Sequence, residues 1–171
     1  MSSIFRILAL VSVLCIPTAA FAQTSELAGI AGKDSLAGIQ GIRVLIIGLQ
    51  DDAKEDGLTE DALRVDVELR LRQAGIVVLS DEERRREPTL ARLDIGINTL
   101  RSEGLYAYSI SVSLAQTVRL LNGRLILGAT TWDSGSVGMV GAKNLRRVRE
   151  SLGDKIDEFI NDYLAVNPKP R

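Results

Sequence analysis

Two stretches of apolar alternation, one running up to Leu120 and one starting at Leu125, flank an Asn122-Gly123 pair and give the chain its clearest local signal. Asn-Gly supplies the two left-handed residues of a type I′ turn, so Leu121 is expected to face Arg124. Pairing outward then sets Leu120 opposite Leu125, Val118 opposite Leu127, Gln116 opposite Ala129 and Leu114 opposite Thr131. Tyr106, Tyr108, Ile110, Val112 and Leu114 continue one apolar face, and a period of two with one apolar face predicts a sheet buried on one side by helices. Gln116 on that face reads as an amide that finds its own partners. The intervening Ala107, Ser109, Ser111, Ser113, Ala115 and Thr117 form a small-residue row, which the same register extends with Gly128, Thr130 and Trp132, Ser113 facing Trp132.

Other elements follow from the same patterning. Residues 39–49 are β-branched and continuously apolar near their end, which suits a buried strand. Residues 51–57 are acidic; their Asp52-x-Lys54-x-Asp56-Gly57 fails as a calcium loop, because Lys54 and Leu63 stand where ligands belong, and they read as a solvated turn. Over 59–74, Leu63, Val65, Val67, Leu69 and Leu71 alternate as a strand would. Thr59 as N-cap, Gly75 as C-terminal stop and the i,i+4 pairs Glu60–Arg64, Asp66–Arg70 and Glu68–Arg72 instead predict a helix. A short strand is expected at 76–79, then a capping box at Ser80-x-x-Glu83 leading into Arg84-Arg85-Arg86, which reads as a solvated mixed-charge turn.

Residues 90–100 alternate again, with Ala91, Leu93, Ile95, Ile97 and Thr99 on the apolar side, and a break at 102–104 leads into the hairpin. Residues 133–142, with Gly135, Gly138 and Gly141 three apart, read as a Gly-rich loop. Leu145, Val148, Leu152, Ile156, Phe159, Ile160, Tyr163 and Leu164 then fall at helical spacing up to Pro168. The fold class is therefore α+β: a single mixed sheet of about five strands, built as strand-helix-strand and then an antiparallel meander, with two helices on one face. Leu114, Val118, Leu120, Leu125 and Leu127 are expected to share its core with the last helix.

Composition adds a compartment. Residues 1–22 have the form of a secretory leader: Arg6, an apolar run from Ile7 to Ile16, Pro17 and an Ala20-Phe21-Ala22 cleavage site. The expected product is periplasmic or secreted after cleavage following Ala22. The apolar run is shorter than the roughly 20 residues of a membrane span, and Leu14 precedes Cys15, so neither a transmembrane segment nor a lipid anchor is expected. A flexible lead-in at 23–36, one α/β domain at 37–167 and a tail at 168–171 complete the division. With 21 basic and 22 acidic side chains, nucleic acid is not implied as a partner, nor is an anionic membrane by that overall balance. No histidine is present and the one cysteine lies in the leader, which leaves little material for zinc, thiol or imidazole chemistry.

No catalytic, metal or cofactor constellation emerges: 133–142 has neither a Gly-Lys-Ser/Thr ending nor G-x-G-x-x-G, and no cofactor is expected. The one local oddity is Lys143, Arg146, Arg147 and Arg149 at the start of a helix, where the macrodipole disfavours cations. With the Gly-rich loop, Lys143, Arg146 and Arg147 form a candidate anion site. The candidate interaction surface is Ser109, Ser111, Ser113, Thr117, Thr130 and Trp132: small side chains permit close approach, and an exposed Trp is a common anchor.

The order strand, helix, strand, three antiparallel strands, helix resembles the small α/β modules of bacterial envelope proteins. Examples are the amino-terminal domain of the Tol-Pal translocation protein, the lipopolysaccharide-assembly lipoprotein, the activator lipoproteins of cell-wall synthases and the curli-secretion family. Leu69-Arg70-Leu71-Arg72-Gln73-Ala74-Gly75-Ile76-Val77-Val78 and Thr130-Thr131-Trp132 carry the resemblance. It implies a non-enzymatic interaction or assembly module whose partner is another envelope protein or a second copy. The alternative is a small-anion or small-ligand binding protein, or an enzyme, using the loop 133–142 with Arg146 and Arg147.

Overall fold

The computed structural model describes residues 32–80, 82–83 and 90–168. The expected leader, its cleavage site and the Arg84-Arg85-Arg86 run lie outside the described residues. In chain order the elements are β1 (Ile42–Ile47), α1 (Asp51–Glu55), α2 (Glu60–Gln73), β2 (Ala91–Ser102), β3 (Leu105–Arg119), β4 (Leu125–Gly141), a 3₁₀ turn (Ala142–Asn144) and α3 (Arg146–Val166). The strands form one mixed sheet in the order β1-β2-β3-β4, with β1 parallel to β2 and the other pairs antiparallel. None of the described helices is long and apolar enough to cross a membrane.

The α+β class and the mixed sheet stand, but the expected count of five strands and two helices does not. The segment 76–79 makes a single parallel bridge, Ile42 to Val78, with Ile42 N donating to Val77 O and Leu79 N to Ile42 O, both at 2.9 Å. Gly75, in the left-handed conformation, and the capping box, in which Ser80 N donates to Glu83 Oε2 at 2.7 Å, leave only four residues between them. The acidic segment folds into α1 instead of a plain turn, burying Ala53 and receiving the Tyr106 hydroxyl on Asp52 O and Asp56 Oδ2.

α2 forms where its caps place it, Thr59 Oγ1 accepting from Ala62 N and Leu63, Val67 and Leu71 buried on one stripe. Of the three expected ion pairs, Arg72–Glu68 forms within the helix at 2.8 Å. Arg70 reaches Asp157 of α3 at 2.9 Å, and Asp66 accepts Arg149 of α3 at 2.6 Å, so these charges tie the two helices together. The core lies between the helices and one sheet face: Leu93, Ile95 and Ile97 from β2, Tyr106, Ile110, Val112 and Leu114 from β3, and Val148, Leu152, Ile156 and Phe159 from α3. Gln116 donates to Ser35 O at 2.9 Å and to Thr131 Oγ1 at 2.7 Å, a fully partnered donor group. Ser35 donates in turn to Thr131 O and Leu36 is fully buried, so the expected loose lead-in is packed by residue 35.

The hairpin differs from its expected register. Asn122 does not take a positive φ; the connection has three residues, with Leu120 N donating to Arg124 O and Gly123, at φ 84°, closing onto Leu120 O. That is a left-handed glycine bulge in place of the two-residue turn. Arg119 therefore faces Leu125 and Val118 faces Ile126; one irregularity restores Gln116 opposite Ala129, and a second puts Leu114 opposite Trp132. A slip of one residue exchanges faces, so Trp132 points into the core, 5% exposed, and not onto the small-residue row. The two-residue turn with both central φ positive occurs instead at Glu103-Gly104, joining the facing residues Ser102 and Leu105.

Two further expectations fail for physical reasons. Leu120, Leu125 and Leu127 are exposed, because the ribbon runs past the last β2 partner, Arg92 against Ala115. Residues 133–141 are not a loop but the second half of β4. Two of their glycines make room for neighbours: a Cβ at Gly135 would lie 2.8 Å from Ile110 O, and one at Gly138, which faces Tyr108, 2.6 Å from the phenol ring.

Candidate interaction surface

The described helices cover one sheet face, and among the described residues the other is open. Across the open face the register aligns rows from β2 through β3 to β4: Leu100, Ala107 and Met139; Asn98, Ser109 and Val137; Gly96, Ser111 and Gly135; Asp94, Ser113 and Asp133. Ile47 of β1 extends the Gly96 row. The first three rows contain no ionisable side chain, while the last is charged. Leu100, Val137 and Met139 are 71%, 82% and 71% exposed, and with Asn98, Ala107 and Ser109 they border a shallow depression of about 510 Å³. Its floor is low because Ala107 and Ser109 are small, and its rim is aliphatic on both sides.

Ser109, Ser111, Ser113, Thr117 and Thr130 share this open face, as the alternation on β3 implies; Trp132 does not. What pattern reading missed is the apolar rim. The signal was present in the two-residue spacing of Val137 and Met139, masked by the glycines on either side of them. At the charged end Arg92 Nη2 donates to Asp94 Oδ2 at 2.7 Å, and this bond raises the arginine pKa further. Arg92 lies opposite Ala115, which is buried.

Lys143, Arg146 and Arg147 are exposed around the 3₁₀ turn and the first turn of α3. Arg146 lies 3.5 Å from Glu150. Since 133–141 is a strand, the glycines supply no loop of converging amides to complete an anion cradle. A groove of about 620 Å³ between α2 and α3 is floored by Val67, Leu152 and Ile156 and crossed by the Arg70–Asp157 and Arg149–Asp66 pairs, whose charges neutralise each other.

Other perturbed groups are scattered, each with a local cause. The Asp162 carboxylate hydrogen-bonds Lys33 and raises its pKa; Asp51 does the same for Lys54; Lys155 lowers that of Glu158; burial, then the Asp56 hydrogen bond, raises that of Tyr106. Among the described residues no group of three or more Asp or Glu side chains converges as a metal ion would require.

Fold and site together define a mixed-sheet α+β module whose sheet face away from the described helices carries three rows without an ionisable side chain and a charged end. No protein-family model matches the chain, and none of the curated proteins matches it in sequence. Among solved structures it is similar to a PelC dodecamer from Paraburkholderia phytofirmans, with 14% identity, 74% of this chain and 92% of that one covered, and a TM-score of 0.45. It is also similar to a minor lipoprotein from Acinetobacter baumannii, with 10% identity, 79% and 98% covered, and a TM-score of 0.38.

Proposed function

We propose that this protein is a non-enzymatic interaction or assembly module of the bacterial envelope, exported after cleavage following Ala22, and that it meets another envelope protein through the open sheet face. The observation that carries this reading is the uncharged patch around Leu100, Val137 and Met139 on a sheet face that none of the described helices covers. A contiguous exposed apolar patch rimmed by polar groups is the usual mark of a contact surface. The shape is that of a contact surface more than of an active site: the depression is shallow, its polar groups are amide and hydroxyl, and the groups with shifted pKa lie elsewhere.

The test compares wild type with Val137→Lys plus Met139→Lys, and separately with Ser111→Lys plus Ser113→Lys. A surface position accepts lysine within about 0.5 kcal/mol, so chemical denaturation should show folding intact. Affinity capture from a solubilised envelope fraction should then lose its partner in the first variant and weaken it in the second. If both variants retain every captured protein and the same oligomeric state, the open face is not where the protein works.

A further inference from the structure

The β3–β4 ribbon continues beyond the body of the protein. Its last pairing with β2 is at Ala115, and residues 117–128 project past it as a two-stranded tip. At about 3.4 Å per residue the projection is roughly 17 Å long. Leu120, Leu121, Leu125, Ile126 and Leu127 are all exposed there, Leu121 completely and Leu127 at 70%. The whole span 104–132 contains no acidic residue, and its only charges are Arg119 and Arg124. The near-zero net charge of the chain hides this local asymmetry.

Cross-strand pairing puts one arginine on each side of the ribbon. Arg124 stands opposite Leu120, and Arg119 opposite Leu125. A groove on a protein takes one face of a ribbon and leaves the other wet, but this tip is aliphatic on both faces and at its apex. Lipid closes around an inserted object from all sides. The apex also satisfies several of its own backbone groups: Leu120 N to Arg124 O and Gly123 N to Leu120 O, both at 2.8 Å, Arg119 Nη1 to Gly123 O at 3.0 Å, and Arg124 N to Asn122 Oδ1 at 3.1 Å. Buried unpaired groups are what usually keep non-helical backbone out of lipid. Among the described residues the outer edges of the ribbon are unpaired, which limits entry to the headgroup boundary, about 5–10 Å deep.

We propose that this tip is a wedge for an anionic membrane surface, with Leu121 leading and Leu125 and Leu127 following it along the ribbon into the headgroup boundary, while Arg124, level with Leu120, and Arg119, level with Leu125, engage lipid phosphates. Guanidinium stems extend along apolar surface while their heads reach phosphate, so the arginines need not leave the ribbon to do so. This surface is separate from the open sheet face, and the two readings fail independently.

Flotation of the purified protein with vesicles tests it. The protein should float with phosphatidylglycerol–phosphatidylethanolamine vesicles, less as salt rises, and far less with phosphatidylcholine alone. Leu121→Ser with Leu127→Ser should weaken binding at least tenfold, and Arg119→Gln or Arg124→Gln about fivefold each. Emission from buried Trp132 should be unchanged in all of them, showing that the body is still folded. The proposal is overturned if wild type stays with the unbound fraction on anionic vesicles or if the leucine substitutions leave binding unchanged. It is equally overturned if those substitutions abolish self-association while flotation persists, which would make the tip a contact between copies.

Discussion

The Trp132 indole meets the Phe159 ring edge to face, centroids 5.0 Å apart and planes at 76°, and donates from Nε1 to Asp162 Oδ2 at 3.0 Å. This pair joins the middle of β4 to α3 and seats the only tryptophan of the chain in the core.

Truncating Phe159 to Ala therefore removes a fully buried ring together with its aromatic partner contact. The expected loss is about 3–5 kcal/mol in urea unfolding, with a red shift of Trp132 emission in the native state. A loss below about 1 kcal/mol, the scale of surface substitutions, would mean that α3 does not pack as described.

Gly153 lies inside α3, and a Cβ there would come within 2.7 Å of Arg70 Nη2. Because that atom is the end of a flexible side chain, Gly153→Ala should push Arg70 away from Asp157 without disturbing the helix axis. Alanine gains about 1 kcal/mol of helix propensity, and an exposed ion pair is worth about 0–1 kcal/mol, so net stability should change by less than about 1 kcal/mol. The Arg70–Asp157 coupling energy, measured by a double-mutant cycle, should fall to zero in the Gly153→Ala background. An unchanged coupling would show that Arg70 is not held against α3.

Alkaline pH should destabilise the fold through Tyr106. Burial and the Asp56 hydrogen bond raise its folded-state pKa above the ordinary value of 10.0. Its contribution is thus complete below that value and is lost as pH rises through the folded pKa. Lys33, raised by its bond to Asp162, acts in the same direction. Glu158, lowered by Lys155, contributes above 4.5 and loses that contribution as pH falls through its folded value. Unfolding midpoints followed against pH should show a shallower alkaline limb in Tyr106→Phe than in wild type, with the acid limb unaltered; superimposable alkaline limbs would exclude the Tyr106 contribution.

Gln116→Leu should cost about 1–3 kcal/mol, since the carbonyl of Ser35 and the hydroxyl of Thr131 lose a shared donor in a partly buried position. Faster proteolysis near residue 35 should accompany it. Wild-type proteolysis rates in the variant would show that Gln116 does not hold this segment.

Local chemistry makes much of the architecture legible in the sequence. The alternation at Val65 and Leu69 argued for a strand, yet Thr59 and Gly75 marked a helix, and those two apolar residues prove to be solvent-facing. The period of two on β2 and β3 correctly separated Leu93, Ile95, Ile97, Ile110 and Val112 from the small-residue row. Asn122-Gly123 located the hairpin but not its register, because the same dipeptide serves a two-residue turn and a three-residue turn ending in a left-handed glycine. One residue of error there carried Trp132 to the wrong face. The segment 133–141 was unreadable for a different reason: Gly138 and Gly135 are set by the approach of Tyr108 and of the β3 backbone at Ile110, long-range neighbours that no local pattern reveals. Without that strand, the aliphatic rim of the open face could not be assembled.

Asn167 holds the two ends of the domain together, accepting from Gly38 N at 2.8 Å and donating to Leu36 O at 2.9 Å. A nascent chain that has reached residue 141 already possesses every described strand of the sheet, yet it has neither this clasp nor the ring that seats Trp132. Its α2 can already lie against β1, but β3 and β4 would expose both faces until α3 arrives to cover one, and contacts spanning most of the sequence close slowly. Folding in one cooperative step must therefore wait for the final helix, which leaves synthesis time in which the chain is still open to capture by a chaperone.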